Sequence, residues 1–354
     1  MLQMEQTRRE DAMNEESILK IEDLHVHFQT DLGISRALNG INLEIPNKKV
    51  MGIVGESGCG KSIMALSIMQ LVPPPGKLSS GRIILRQYKP EPRLVEVSAL
   101  GRHSKEMRAI RGGQIGMIFQ EPMTSLNPSY TIGDQIAEAV LLHHTDSKQQ
   151  ALNRAVETLD KVGMPSPREV VNRYPHELSG GMRQRVMIAM ALSCSPSILI
   201  ADEPTTALDV TTEAQILDLI RDLQAELGMT TIFITHNLGV VAQMCDNVAV
   251  MYLGRVVEQG PVVKIFYEPL HPYTKALLTS IPRIGSSQKG KLQPIHGMVP
   301  DPYAKVIGCP FHPRCNNSKP GVCDKEVPAF TSISEDHSVR CFLYSDKVEQ
   351  DDGI

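Results

Sequence analysis

The sequence predicts an α/β fold built round a nucleotide-binding parallel sheet, and three observations carry that expectation. Short apolar, strand-like runs alternate with helical patterns along the chain. GESGCGKS, Gly55 to Ser62, follows one such run, Val50–Val54, and leads into the helical stretch SIMALSIMQL. ILIADE, Ile198 to Glu203, is an apolar run that ends in two carboxylates. A strand–loop–helix setting is what the G-x-x-x-x-G-K-[ST] pattern requires before it can be read as a phosphate-binding loop.

In chain order, Leu24–Phe28 and Ile41–Ile45 read as strands, and GRIIL from Gly81 to Leu85 as part of an antiparallel β layer. Between them lies the phosphate loop. Gly55, Gly58 and Gly60 free its backbone to turn N–H groups inward, with Glu56, Ser57 and Cys59 at the positions between. The start of the next helix adds the positive end of a dipole. Lys61 is placed to reach the β- and γ-phosphates of a nucleotide, and Ser62 to put its hydroxyl on Mg²⁺. A chance match in a glycine-rich loop is the competing reading, and the flanking strand and helix argue against it.

Gln114–Phe119 is the next strand-like run. From Glu121 to Pro175 the composition turns helical and polar, broken by TDSKQQ and PSPRE. Ser197–Ala201 suits a strand buried on both faces, so Asp202 emerges at its carboxyl end, where α/β sheets bind ligands. Asp202 can hold Mg²⁺ directly or through water, and Glu203 is placed to polarise the water that attacks a γ-phosphate. Thr230–Thr235 is another strand-like run, closed by His236. Asn247–Gly260 alternates about Leu253-Gly254 as a hairpin. Beyond Pro261 lies an extension with many prolines and no long periodic run.

Composition narrows the setting. A chain of 354 residues can bury one large core and a smaller domain. A net charge of −4 gives no footing to nucleic acid as a partner. No run of 18 or more apolar residues is uninterrupted, so nothing is expected to span a membrane. Residues 1–17 mix both charge signs without an apolar segment and read as a flexible tail rather than a signal peptide.

Leu178-Ser179-Gly180-Gly181-Met182 adds what a lone phosphate loop lacks. Ser179 and two glycines before the run RQRVMIAMAL make a second anion-binding helix start. A chain with one phosphate loop has no need of another for the same nucleotide. The segment resembles the signature of ATP-binding cassette (ABC) ATPases, with Met182 where many members have Gln. Gln120 resembles the Q-loop residue, Ala207-Leu208-Asp209 the D-loop, and His236 the switch histidine, 33 residues after Glu203. QEPMTSLNP (Gln120 to Pro128), YPHELSGGMRQRVMIAMAL (Tyr174 to Leu192) and HPYTKALL (His271 to Leu278) are similar to the ATP-binding subunits of oligopeptide/dipeptide ABC importers. Met182 points to their D-type member, and the resemblance runs from near Ile18 to Cys341.

The resemblance implies a P-loop NTPase core of the ABC type over residues 18–120 and 181–260, with an antiparallel β layer. An inserted helical signature subdomain over 121–180 and a small cysteine-containing extension over 261–354 would complete it. It implies Mg²⁺ on Ser62, Gln120 and Asp202, and catalysis by Glu203, His236 and Gln120. Ser179, Gly180, Gly181 and Asp209 would close on ATP held by a second, homologous ATPase subunit in a heterodimer. Two membrane permease subunits and an extracytoplasmic substrate-binding protein complete such an importer, with this chain peripheral on the cytoplasmic face of the membrane. Phe28 lies where the family stacks adenine, although its alternation with Leu24 and Val26 equally suits a core strand. Peptides are the implied cargo, but nickel or oligosaccharides are carried within the same subfamily. Non-transport ABC ATPases are the remote alternative. Chromosome proteins place long coiled coils between phosphate loop and signature, where this chain has 115 residues without sustained heptads, and translation factors carry two cassettes.

The seven cysteines divide into two groups. Cys59, Cys194 and Cys245 are scattered through the core and read as buried small residues, Cys59 being open to oxidation if its loop exposes it. Cys309, Cys315, Cys323 and Cys341 are spaced C-x5-C-x7-C-x17-C, unlike the paired C-x2-C knuckles of structural zinc sites. Four thiols so close in a reducing compartment favour metal over disulfides, and Pro310 after Cys309 is a faint hint of a ferredoxin-like run. The resemblance implies a [4Fe–4S] cluster on these four, stapling an extension poor in apolar residues. His312 is an alternative ligand, which keeps Zn²⁺ open as the metal.

Overall fold

The computed structural model describes residues 13, 16–88, 91–120, 125–206, 208–280, 295, 297–301, 303 and 306–345. Residues 121–124 and Ala207, and most of the tail expected over 1–17, lie outside them.

Two sheets organise the chain. β1 (Ser17–Thr30) and β2 (Gly33–Pro46) form a long antiparallel pair, so the expected runs Leu24–Phe28 and Ile41–Ile45 lie within longer strands. The chain then crosses through β3 (Val50–Val54) in the second sheet before β4 (Gly76–Gln87) and β5 (Arg93–Glu96) complete the first, in the order β2-β1-β4-β5. The second sheet adds β6 (Ile115–Ile118), β7 (Ile198–Asp202), β8 (Thr230–Ile234), β9 (Asn247–Tyr252), β10 (Arg255–Pro261), β11 (Thr331–Ser334) and β12 (His337–Val339). Its order is β11-β12-β10-β9-β3-β8-β7-β6, parallel from β9 to β6 and antiparallel from β9 to β11.

The unbroken apolar runs of the central strands follow from burial on both faces. All five residues of β3 are buried, and alternate ones serve different cores. Val50 and Val54 join Leu199, Ala201 and Phe233 in a core closed by helices. Met51 and Ile53 join Ile198, Ile200, Ile232 and Ile234 against the antiparallel sheet. The period-two alternation of a strand thus feeds two cores from one sequence run.

Ten helices among the described residues fill these layers. They are α1 (Lys61–Ile68), α2 (Lys105–Ile110), α3 (Ile132–His143), α4 (Lys148–Lys161), α5 (Pro167–Val170), α6 (Gly180–Leu192), α7 (Val210–Leu227), α8 (Leu238–Met244), α9 (Val262–Tyr267) and α10 (Pro272–Thr279). α1 runs between the two sheets, burying Met64, Ala65 and Ile68. α3, α4 and α6 pack together in the inserted region. Thr131, Ser147, Ser179 and Asp209 cap α3, α4, α6 and α7, each accepting a backbone N–H from the first turn.

The extension is more integrated than its composition suggests. β12 pairs with β10, Glu258 opposite Val339, and β11 pairs with β12. Glu258 is fully buried and gathers two parts of the extension. It accepts the backbone N–H groups of Leu270 and His271 at 2.7 and 2.8 Å, and His337 Nε2 lies 2.9 Å from it. Burial pushes the His271 imidazole down to about 4, although the Glu258 charge acts the other way. It is therefore neutral at pH 7, and its Nδ1 accepts the Tyr273 N–H to cap α10.

Candidate functional site

The phosphate loop joins β3 to α1 at the carboxyl end of the parallel strands. Gly55 and Gly60 are required there: both have positive φ, and a Cβ would lie 2.2 Å from the Met251 carbonyl oxygen or 2.5 Å from that of Ala37. Lys61 is buried, and its ammonium donates to the Gly55 and Glu56 carbonyls at 2.8 and 3.2 Å. Ser57 and Gly58 face solvent. Cys59 is buried, and burial pushes its thiol up, so the loop does not offer it to oxidants as a thiolate.

Next to the loop, the Ser62 hydroxyl donates to Asp202 Oδ1 at 3.1 Å. A hydroxyl and a carboxylate side by side are hard oxygen donors of the kind Mg²⁺ takes, so these residues fit the ion. Burial pushes the Asp202 carboxyl up, with the Glu203 charge adding to it and Ser62 and Lys61 opposing.

Glu203 is the meeting point of the site. Its backbone stands at φ +47°, a left-handed conformation that costs a non-glycine residue energy, and its N–H donates to the Ile234 carbonyl at 2.9 Å. Gln120 Nε2 donates to one carboxylate oxygen at 3.1 Å and the Thr206 hydroxyl to the same oxygen at 3.0 Å. His236 Nδ1 lies 3.1 Å from the other oxygen. Burial raises this carboxyl, but the hydrogen bonds from His236 and Thr206 and the nearby positive charges outweigh it and hold the group below its ordinary value. An ionised carboxylate, aimed and held by three side chains, can orient a water for in-line attack.

Gln120, Glu203 and His236 are thus brought together, with Gln120 two residues beyond the end of β6. Sequence reading missed Thr206; its place three residues after Glu203 is the only signal, and a weak one. Ser179, Gly180 and Gly181 open α6, with Ser179 and Gly180 exposed and Gly181 against the Thr212 methyl. Asp209 caps α7 from an exposed position. Phe28 is half-buried, its ring against Gly76 and Val72, so much of it serves the core.

Among the described residues, no group of three or more His, Cys, Asp or Glu side chains is arranged to hold a single metal ion. Cys309, Cys315, Cys323 and Cys341 do line one cavity, together with His271, Phe311 and His312. The Cys309 N–H donates to the Cys323 carbonyl at 2.8 Å, and His312 Nδ1 is engaged with the Cys309 carbonyl at 2.9 Å. Burial pushes the Cys309 thiol up to about 11; the Phe311 N–H opposes this, and the charges of Cys341, Cys323 and Cys315 add to it. Thiols are the donor type that iron–sulfur clusters take, and these four share a cavity lining without being gathered into a metal-holding group. Cys194 and Cys245 are buried small residues, as expected.

Fold and site together define an ATP-hydrolysing protein of the ATP-binding cassette class. Residues 38–206 match the ABC transporter family, and residues 257–323 match the C-terminal region of oligopeptide/dipeptide transporters. The chain belongs to the family of ATP-binding proteins of peptide-type ABC transporters. Its relatives include the dipeptide transport ATP-binding protein DppD of Bacillus subtilis, 48% identical over 94% of this chain and 97% of that one. The oligopeptide transport ATP-binding protein OppD of the same organism is 46% identical over 95% and 92%. Among solved structures, a dimeric ATP-binding cassette in a post-hydrolysis state with ADP and Pi matches with a TM-score of 0.60 and 28% identity, over 69% of this chain and 99% of that one. The cbiO1 component of an ABC transporter from Clostridium perfringens matches with a TM-score of 0.58 and 32% identity, over 72% and 92%.

Proposed function

We propose that this chain is the ATPase subunit of a peptide importer, acting at the cytoplasmic face of the membrane. The observation that carries the reading is the convergence of Gln120, Thr206 and His236 on Glu203, beside the Ser62–Asp202 pair. No helix among the described residues is long and apolar enough to cross a membrane, and in this reading the work passes to separate membrane subunits.

The core over 18–120 and 181–260 binds ATP on the phosphate loop, Lys61 and the loop N–H groups holding its phosphates. Ser62 and Asp202 hold Mg²⁺, which supplies charge neutralisation on the β- and γ-phosphate oxygens when bound. In this reading Gln120 joins them. Ser179 and Gly180 of the 121–180 subdomain, with Gly181 beside them, close on nucleotide held by a second, homologous ATPase subunit, with Asp209 at the same seam. The exposed, pre-capped start of α6 and the dimeric state of a solved relative support this arrangement. Glu203 then orients the attacking water, and His236 and Gln120 hold the carboxylate while charge develops on the γ-phosphate. Two permease subunits and an extracytoplasmic peptide-binding protein complete the importer; the naming of the relatives for dipeptide and oligopeptide transport supports peptides as cargo.

In the same reading, Cys309, Cys315, Cys323 and Cys341 hold a [4Fe–4S] cluster, whose chemistry here is that of a cross-link between segments. Their lining of one cavity supports it. Iron, acid-labile sulfide and zinc measured after anaerobic purification test this part. Iron and sulfide in equal amounts support the cluster, zinc replaces it, and neither metal removes it. The transport reading is tested by reconstituting the assembled importer in vesicles: peptide-loaded binding protein should stimulate ATP hydrolysis and drive peptide uptake. Stimulation by nickel-loaded but not peptide-loaded protein would overturn the cargo.

A further inference from the structure

Glu56 sits inside the phosphate loop, yet it is held from outside the ATPase core. Its carboxylate accepts two N–H groups of Arg314, at 2.7 and 3.1 Å, fork to fork. Its own backbone N–H donates to the Tyr273 hydroxyl at 2.8 Å. The Arg314 side chain is 4% exposed and that of Glu56 26%, so the pair is largely withdrawn from water. Arg314 also donates to the Tyr252 hydroxyl at 3.3 Å, and its guanidinium lies over the Tyr252 and Phe311 rings. Tyr252, Tyr273 and Phe311 pack on one another with centroids 4.6 to 5.4 Å apart. Tyr273 stands on α10 and Arg314 on the short turn His312–Arg314 between Cys309 and Cys315.

A carboxylate in a loop shaped to receive phosphate is a paradox unless something neutralises it. Left unpaired, it would repel the polyphosphate and be free to swing into its path. The guanidinium cancels the charge, and the two-pronged contact also fixes where the carboxylate points.

We infer that Arg314 is a positioning residue of the nucleotide site: it neutralises and orients Glu56, so that the C-terminal extension sets the affinity of the phosphate loop. The inference rests on the assignment of that loop to ATP and requires no metal at the cysteines.

The test uses the full chain, with ADP titrated calorimetrically and iron content and melting temperature recorded alongside. Arg314→Ala should weaken ADP binding on the order of tenfold, through an unpaired carboxylate facing phosphate. The double variant Glu56→Ala/Arg314→Ala should regain most of that loss, which a merely structural role of Arg314 would not do. Arg314→Lys, which keeps the charge but not the fork, should fall between. Parent-like affinity in Arg314→Ala, or no recovery in the double variant, overturns the inference. If Arg314→Ala does not fold, Arg314→Lys decides: parent-like affinity overturns the inference, and weakening relieved by Glu56→Gln upholds it. Failure of the parent protein to bind ADP would strike the ATP-site assignment instead.

Discussion

A glutamate with a left-handed backbone, three hydrogen-bonding side chains and an ionised carboxyl is the residue-scale centre of this protein. Glu203→Gln should keep ATP binding while slowing turnover by roughly 10²- to 10⁴-fold, the range for loss of a group that handles the attacking water's proton. Steady-state hydrolysis beside a nucleotide-binding assay checks it, and near-parent turnover would refute the role. His271 makes a second prediction. Burial lowers its pKa from 6.5 to about 4, so the folded state binds fewer protons than the unfolded chain across that interval. Stability is therefore full above pH 6.5 and drains as pH falls toward 4, by about 3 kcal/mol in all. Melting temperatures across that range should drop, and His271→Asn, which retains a capping oxygen, should flatten the curve. Legibility at this scale depended on distance along the chain. Gly55 to Ser62, Asp202, Glu203 and His236 were readable because each ends or follows a recognisable strand. The partners of Glu56 were not: Arg314 lies 258 residues away, and nothing in GESGCGKS says that its glutamate needs a cation.

At the scale of elements, the parallel strands announced themselves through unbroken apolar runs, while β11 and β12 did not. TSIS and HSV hold four and three residues, mostly polar, and they pair through backbone groups at the sheet margin rather than through an apolar face. Glu258 explains how so short a pair stays in place. Glu258→Ala should leave one buried and one half-buried N–H group without acceptors and free His337, costing about 3 kcal/mol. Chemical denaturation should register that loss, and a change within experimental scatter would show the carboxylate to be dispensable. Ser179, read from the sequence as a helix start, does cap α6, while Asp209, read only as a D-loop residue, also caps α7. α1 stopped three residues short of the end of the periodic stretch SIMALSIMQL, at Ile68, with Gln70 taking positive φ.

For the whole molecule, the decisive feature is that the residues expected to handle nucleotide stand on separate elements. The phosphate loop and Glu203 lie at the carboxyl end of the parallel strands, and Ser179 and Gly180 stand exposed at the start of α6. Ser179→Arg should therefore leave ADP binding intact while abolishing ATP-driven dimerisation and hydrolysis, by filling the space a partner's nucleotide would occupy. Size-exclusion profiles with and without ATP decide it, and unchanged dimerisation would undo the head-to-tail arrangement. The antiparallel margin of the main sheet has a consequence of its own, in time rather than space. β10 acquires its outer neighbour only when Val339 has been made, long after Gly55 to Ser62 have left the ribosome. Arg314 is also made late, so during synthesis the phosphate loop exists for some 250 residues of elongation without the cation that pairs Glu56. Once β10 has been made, the nascent chain carries an open sheet edge beside the negatively charged loop. The last part of translation thus turns a folded ATPase core into a finished one.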